Sequence, residues 1–381
     1  MMGCTAPHTT DPKDPGDVDK RAPIQRLERI TVTGYSTEEL VTEFDRARSF
    51  LLVDKYQEAA VAFDRLMRLA DDPDLKSTSM FNAGVAYEGL GQRETALQRY
   101  RMMFDEFPQQ HAVQSALVRK TRILGYLERW AELEQTATEL LSRGDKLPVM
   151  VRIEGLGAKA LGLVEQGRHD EAQIYVARAM DLIETNRFGQ SGVPPVQLAQ
   201  VAFAQGEIRR LESERIALVP VTPDFPQLLE ARCQGLLDAQ RAYTDAMRSR
   251  DAHWSAMSGF RVGQLYHQLH REVMDIPPPK QAATLRQKQL FEAAMRLRYR
   301  ILLEKGLRMM DGTVRLGART GEVSFWVTRA RDAKRNLEQA LEDEKAALAK
   351  MPFSEEVMQL ALDKLRGKIR ANNSAAKSPA P

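Results

Sequence analysis

The chain has 381 residues, of which 43% are hydrophobic and 28% are charged. This composition is that of a folded protein, and its length exceeds what one small core requires. The balance of 55 basic against 52 acidic residues leaves a net charge of +3, too small to indicate the basic face that nucleic-acid binding needs. No apolar run reaches the ~18 residues of a membrane-spanning helix. Ala, Leu, Arg, Glu and Gln are abundant and favour helix, so we expect an all-α fold.

The chain begins MMGCTAP, with Gly-Cys after two apolar residues. This order resembles the end of a bacterial lipobox, in which the cysteine is lipidated and becomes the mature N-terminus. A basic start and an apolar core do not precede Cys4, so the resemblance implies that translation starts further upstream. With Thr5 after the cysteine, similarity to enteric sorting rules implies attachment to the outer membrane, facing the periplasm. The alternative is that Met1 is the true start, that Cys4 is incidental and that the protein is cytoplasmic.

Residues 80–108, MFNAGVAYEGLGQRETALQRYRMMFDEFP, contain two apolar helical stripes with a glycine between them. Met80, Gly84 and Tyr87 lie on one stripe, and Gly91 can end that helix with a positive φ. The order and spacing of apolar, small and aromatic residues resemble those of a tetratricopeptide repeat (TPR). The resemblance implies paired antiparallel helices whose first members line a concave, protein-binding surface.

The same frame recurs before and after this segment. The second-helix positions predicted to face the neighbouring helix are Ala59, Ala96, Leu133, Ala172 and Leu211. Their near-constant intervals indicate a repeat, although an irregular helical bundle is the alternative. Since one hairpin buries only one side alone, successive hairpins must stack. We therefore predict a helical-hairpin repeat solenoid that forms a right-handed superhelix.

Prolines divide the rest of the chain. Pro220 and Pro223 interrupt the repeat spacing, and the three prolines at 277–279 stop a helix. The predicted organisation is a disordered tether over 1–35, TPR-like repeats over 36–219, further TPR-like helices over 220–276, long helices over 280–370 and a disordered tail over 371–381.

Residues 225–340 carry a second resemblance, through the motifs AQRAY, GFRVGQLY, a proline cluster and a Trp after TGE. They are similar to the C-terminal region of delta-proteobacterial TPR proteins. Some of those proteins are lipoproteins of envelope machinery, including gliding motility. The chain departs from that pattern at His267 and His270, where acidic or aromatic residues are expected.

The candidate binding residues lie on the predicted first helices. Asn82 occupies the place where TPR proteins often use an asparagine to bond a peptide backbone, because an amide offers both a donor and an acceptor. Arginine and tyrosine are frequent anchors of protein interfaces. The residues predicted to contact a partner are Arg48, Asn82, Glu88, Arg119, Arg122, Tyr126 and Gln200. Each has the alternative of being an ordinary surface residue.

Signatures of catalysis and of cofactor binding are missing from the sequence. It has no GxSxG, P-loop or GxGxxG motif, and Cys4 and Cys233 form no CxxC pair. His267 and His270 lack the HExxH spacing of a zinc site. The basic stretch 280–319 could attract an acidic partner or lipid headgroups, or be a solvated helix face.

We therefore expect a non-enzymatic protein with no cofactor, no metal and no nucleic-acid partner. The predicted function is a protein-binding scaffold of a bacterial envelope assembly, lipid-anchored through Cys4, whose concave groove takes a peptide or a helix. The alternative is a cytoplasmic TPR adaptor without a lipid anchor.

Overall fold

A computed structural model of the chain describes residues 35–361 except residues 111 and 191. All regular secondary structure in this part is helical, which confirms the predicted all-α class. Contacts divide the chain into two compact units, residues 1–204 and 205–381. The five predicted segments remain predictions, and Cys4, nearly all of the predicted tether and the predicted tail lie outside the described residues.

The described part of the first unit is built from helical hairpins in sequence. Their helices are α1 (Thr37–Leu52) and α2 (Tyr56–Leu69), α3 (Pro73–Gly89) and α4 (Arg93–Glu106), α5 (Ala112–Tyr126) and α6 (Trp130–Leu141), and α7 (Val149–Glu165) and α8 (His169–Thr185). Each helix packs mainly on the helices next to it in the chain. This pattern of neighbour contacts is that of a repeat array.

One turn geometry recurs inside these hairpins. Asp54, Gly91, Glu128 and Gly167 follow the first helix of each hairpin and have positive φ, between 56° and 82°. The residue after each donates its N–H to a carbonyl five residues earlier, which closes the first helix as a Schellman motif. These bonds run from Lys55 to Phe50, Gln92 to Tyr87, Arg129 to Leu124 and Arg168 to Leu163, at 2.9–3.0 Å. The turns are 37, 37 and 39 residues apart, so the predicted TPR-like repeat is confirmed here.

The predicted packing positions are confirmed in these hairpins and wrong in the next one. Ala59, Ala96, Leu133 and Ala172 each lie four positions into a second helix and are 0% exposed. Leu211 lies instead in a first helix, α9 (Ala199–Glu214), and the following helix α10 begins only at Phe225. The prolines between α9 and α10 cannot donate the N–H that a helix needs, so the connection is longer than the recurring turn.

A glycine facing a tyrosine brings paired helices close together. A Cβ atom on Gly84 of α3 would lie 2.4 Å from Cε1 of Tyr100 on α4. The same relation recurs between Gly206 of α9 and Tyr243 of α10, where the distance to Cδ1 would be 2.6 Å. Both tyrosines are 0% exposed. The absent side chain therefore makes room for a buried aromatic ring at each contact.

The second unit has longer helices. They are α10 (Phe225–Arg248), α11 (Ala252–Met274), α12 (Leu285–Thr320) and α13 (Phe325–Ala349). Gly263 of α11 faces Met310 of α12 closely, and Met310 belongs to an apolar cluster with Leu303 and Leu337. A capping box of Thr284 and Gln287 starts α12. Among the helices of the described residues, none combines the length and the apolar character needed to cross a membrane.

Candidate protein-binding surface

The first helices of the hairpins carry most of the predicted binding residues, and α3 is enclosed along much of its length. Its residues 77–86 are all buried. Asn82 is 0% exposed, and within the described part of the chain neither its amide nitrogen nor its amide oxygen has a hydrogen-bond partner. The hydroxyl of Ser79, one helical turn earlier, also lacks a hydrogen-bond partner in the described residues. Buried polar atoms without partners cost free energy, so this is a destabilising element of α3.

Glu88, at the end of α3, joins two neighbouring hairpins. Its carboxylate accepts hydrogen bonds from the hydroxyl of Tyr100 and, at 3.0 Å, from Nη1 of Arg119 on α5. Burial raises the pKa of Tyr100 well above its usual range, and the charge of Glu88 adds to this effect. Glu88 and Arg119 thus form a charge pair inside the chain, with side chains 18% and 11% exposed.

Arg122 makes the next link along the first helices. Its Nη2 lies 2.7 Å from Oε1 of Glu154 on α7, and its Nε lies 3.0 Å from the same oxygen. The side chains of Arg122 and Glu154 are only 10% and 3% exposed. The positive charge of Arg122, which we predicted to contact a partner protein, is therefore paired with a carboxylate 32 residues away in the chain.

The remaining predicted residues differ in exposure. Arg48 has a side chain 38% exposed, and its Nη1 lies 3.5 Å from Asp45. Tyr126 is half-buried, with the guanidinium of Arg93 4.7 Å from its ring centre. Gln200 is 2% exposed and donates a long hydrogen bond, 3.5 Å, to the carbonyl oxygen of Thr121.

The structure thus brings Glu88 and Arg119 into direct contact and places Asn82, Arg122 and Gln200 inside the folded chain. Contact of all seven residues with a partner stays a prediction. Sequence reasoning missed Glu154, the residue that neutralises Arg122. The sequence did contain a signal for it, because residues of opposite charge recur about one repeat apart. Two further ion pairs have this spacing: Arg129 with Glu94 at 2.8 Å and Arg168 with Glu134 at 2.8 Å.

An open groove lies on the first hairpin, between α1 and α2. It has a volume of about 360 Å³. Phe50 and Val61 give it an apolar floor, and Val61 is 60% exposed. The polar residues that line it are Glu43, Arg46, Gln57, Glu58 and Arg65. Apolar centres with charged rims are typical of surfaces that accept an amphipathic segment.

The two histidines that depart from the predicted pattern lie on α11. Burial, together with the charges of His267 and Arg296, lowers the pKa of His270 to about 4. Burial also lowers the pKa of His267. Nε2 of His270 lies 3.8 Å from Oε1 of Glu344. Within residues 35–361, apart from 111 and 191, no group of three or more His, Cys, Asp or Glu side chains is placed to hold a metal ion.

No protein-family model and no curated protein matches the chain. Similar solved structures include a tetratricopeptide repeat protein from Parabacteroides merdae, with 10% identity, a TM-score of 0.41 and coverage of 77% of this chain and 99% of that one. They also include the TPR2AB domain of yeast Sti1 in complex with pHSP90, with 12% identity, a TM-score of 0.21 and coverage of 81% and 100%. The chain's own helices and recurring turns define it as an all-α, TPR-like helical-repeat protein.

Proposed function

We propose that this chain is a scaffold that binds an amphipathic helix of another protein through its first hairpin. The observation that carries the proposal is the open groove between α1 and α2. Its apolar floor would take the apolar stripe of the partner helix, and its two acidic and two basic residues would pair with charges beside that stripe. The stacked hairpins behind the groove hold it in place through contacts between neighbours.

The groove is tested with two matched substitutions. A photo-crosslinking amino acid at Gln57 captures the partner in the source cells, and binding of the purified partner is then titrated. We expect Val61→Asp to weaken the complex at least about tenfold, since burying a charge opposite an apolar stripe is costly. Ile174→Asp is the control, because Ile174 is 59% exposed on α8, away from the groove. Equal affinities of the two variants would contradict the groove as the binding site.

The predicted residues on the first helices form a second, finer part of the proposal. A partner segment that reaches Asn82 would supply the carbonyl and the N–H that its buried amide lacks. Asn82→Leu removes the unpaired amide, so the free chain should melt at a higher temperature while partner affinity falls. A variant that gains stability and keeps full affinity would remove Asn82 from the binding surface.

The cellular setting is also part of the proposal. We infer a lipid-anchored scaffold of a bacterial envelope assembly, attached to the outer membrane through Cys4, on the strength of the MMGCTAP start and the resemblance of residues 225–340. The alternative is a cytoplasmic adaptor with the same groove. Labelled palmitate separates the two: incorporation that Cys4→Ser abolishes supports the anchor, and an unlabelled chain in the soluble fraction supports the adaptor. An upstream in-frame apolar segment in the genomic DNA would support the anchor as well.

A further inference from the structure

The turn between α12 and α13 presents apolar side chains to solvent. Gly321 ends α12 in the left-handed conformation, with φ 74°, and residues 322–324 lead directly into α13. Val323 in this turn is 91% exposed, and Phe325 at the start of α13 is 58% exposed. Val323 is thus one of the most exposed large apolar side chains of the described residues, and it lies at the apex of a helical hairpin.

Three arginines lie near this apex. Arg319 is exposed on the last turn of α12. The guanidinium of Arg329 lies 4.1 Å from the ring centre of Phe325, so the cation and the apolar ring form one surface. Arg250 is exposed in the turn between α10 and α11. Arg250 and Arg319 have no ion pair within the described part of the chain.

Two acidic residues near the apex have partners within the unit. Glu322 has a side chain 9% exposed, and its Oε1 lies 3.4 Å from Nδ1 of His253 at the start of α11. This contact holds the α10–α11 turn and the α12–α13 turn at the same end of the second unit. The carboxylate of Asp251 accepts the N–H of Trp254 and caps α11. Among the described residues, neither acid forms an ion pair with Arg250, Arg319 or Arg329.

We propose that this end of the second unit, formed by Val323, Phe325, Arg250, Arg319 and Arg329, binds the surface of a bilayer that contains anionic phospholipids. Val323 and the Phe325 ring enter the boundary between headgroups and acyl chains. The guanidinium groups bond the lipid phosphates, which they can do with two parallel N–H donors each.

A membrane fits this apex better than a protein partner does. A stable protein interface needs on the order of 800 Å² from each side, formed by a continuous patch. Two apolar side chains at the apex of a turn supply far less area than that. Binding to an anionic bilayer adds the attraction of each arginine to the lipid charges to the burial of a small apolar area. This surface is separate from the groove of the proposed function and does not depend on Cys4.

The test uses the full 381-residue chain with Cys4→Ser, so that no acyl group can contribute. Binding is measured by co-sedimentation with vesicles of phosphatidylcholine alone and of phosphatidylcholine with phosphatidylglycerol. We expect binding to the anionic vesicles that weakens as salt is raised, and little binding to the zwitterionic ones. V323S/F325S and, separately, R250Q/R319Q should each reduce the binding at least about tenfold.

Leu285→Ser is the matched control, since Leu285 is 73% exposed at the other end of α12. The side chains of Val323, Phe325 and Leu285 are all exposed. The thermal melts of V323S/F325S and of Leu285→Ser, followed by circular dichroism, should therefore match that of the wild type. A second measurement reports depth: V323W should give a blue-shifted emission that brominated lipids quench.

Failure of the unaltered apex to bind anionic vesicles overturns the proposal. So does an equal loss of binding in Leu285→Ser, equal binding to both vesicle types, or sedimentation of V323W without quenching. If the chain does not bind vesicles but a cross-linker at position 323 captures another protein, the apex is a protein-binding surface instead.

Discussion

The guanidinium of Arg122 and the carboxylate of Glu154 meet at 2.7 Å in the interior of the first unit, and both side chains are at most one-tenth exposed. Arg122 lies on α5 and Glu154 on α7, so the pair joins the first helices of consecutive hairpins. Charges taken out of water need partners of opposite sign. The pair is therefore a structural link between repeats, whatever else the arginine contacts.

Arg122→Met should destabilise the chain by about 3 kcal/mol, because it leaves the buried carboxylate of Glu154 without its main cation. The double variant Arg122→Met/Glu154→Leu should lie within about 1 kcal/mol of the wild type, since apolar residues of similar size replace both charges. Urea unfolding of the three proteins measures this. A single variant as stable as the double one would show that the pair does not act as described.

Gly84→Ala should destabilise by about 1–3 kcal/mol, because the new Cβ overlaps the buried ring of Tyr100. The ring cannot easily move away, since its hydroxyl donates to Glu88. The control is Gly312→Ala in α12, where a Cβ meets nothing within 4 Å. That change should stabilise the helix by about 0.5–1 kcal/mol. Thermal melts that shift in the same direction would contradict the proposed contact.

The recurring turn predicts opposite effects at two equivalent positions. Gly91→Ala places a side chain at φ 72° and should cost about 1 kcal/mol. Glu128→Gly relieves the same conformation at φ 56°. Glu128→Gly should stabilise the chain by less than Gly91→Ala destabilises it, because glycine also has more conformational freedom in the unfolded chain. Denaturation midpoints measure both changes, and a stabilising Gly91→Ala would argue against the left-handed turn.

His270 predicts part of the acid sensitivity of the second unit. Burial, together with the charges of His267 and Arg296, lowers its pKa from 6.5 to about 4, so the unfolded chain binds a proton at this group more readily than the folded chain does. Its contribution to the free energy of unfolding is complete above pH 6.5 and is lost as the pH falls from 6.5 to 4.

His270→Gln should therefore flatten the fall of stability over this pH window, measured by urea midpoints at a series of pH values. An unaltered slope in His270→Gln would show that other groups determine the acid response.

The hairpin frame could be predicted from sequence because small and aromatic residues recur at a fixed spacing. Gly91 and Gly167 mark two of the turns directly, while Asp54 and Glu128 adopt the same conformation without a glycine to signal it. Spacing alone wrongly placed Leu211 in a second helix. Apolar residues recur with the same period in a first helix and in a second one, so their spacing does not show whether the chain has turned between them.

The predicted binding residues show a different limit. Helical position identifies Arg122 as a residue of a first helix, but its burial depends on Glu154, which comes from the next hairpin. Asn82 is likewise enclosed by the packing around α3. The groove between α1 and α2 was not predicted, since it exists where no earlier hairpin in the described residues packs on the first one.

The shared turn also bears on how such a chain can change in length over evolution. The residues that close the first helix and open the second stand at the same relative positions in four consecutive hairpins of the described region. A gene duplication or deletion that spans one interval between these turns, 37 or 39 residues, would rejoin the chain in phase, with a complete hairpin gained or lost. Relatives of this protein can therefore differ in hairpin number while they retain the same turn chemistry.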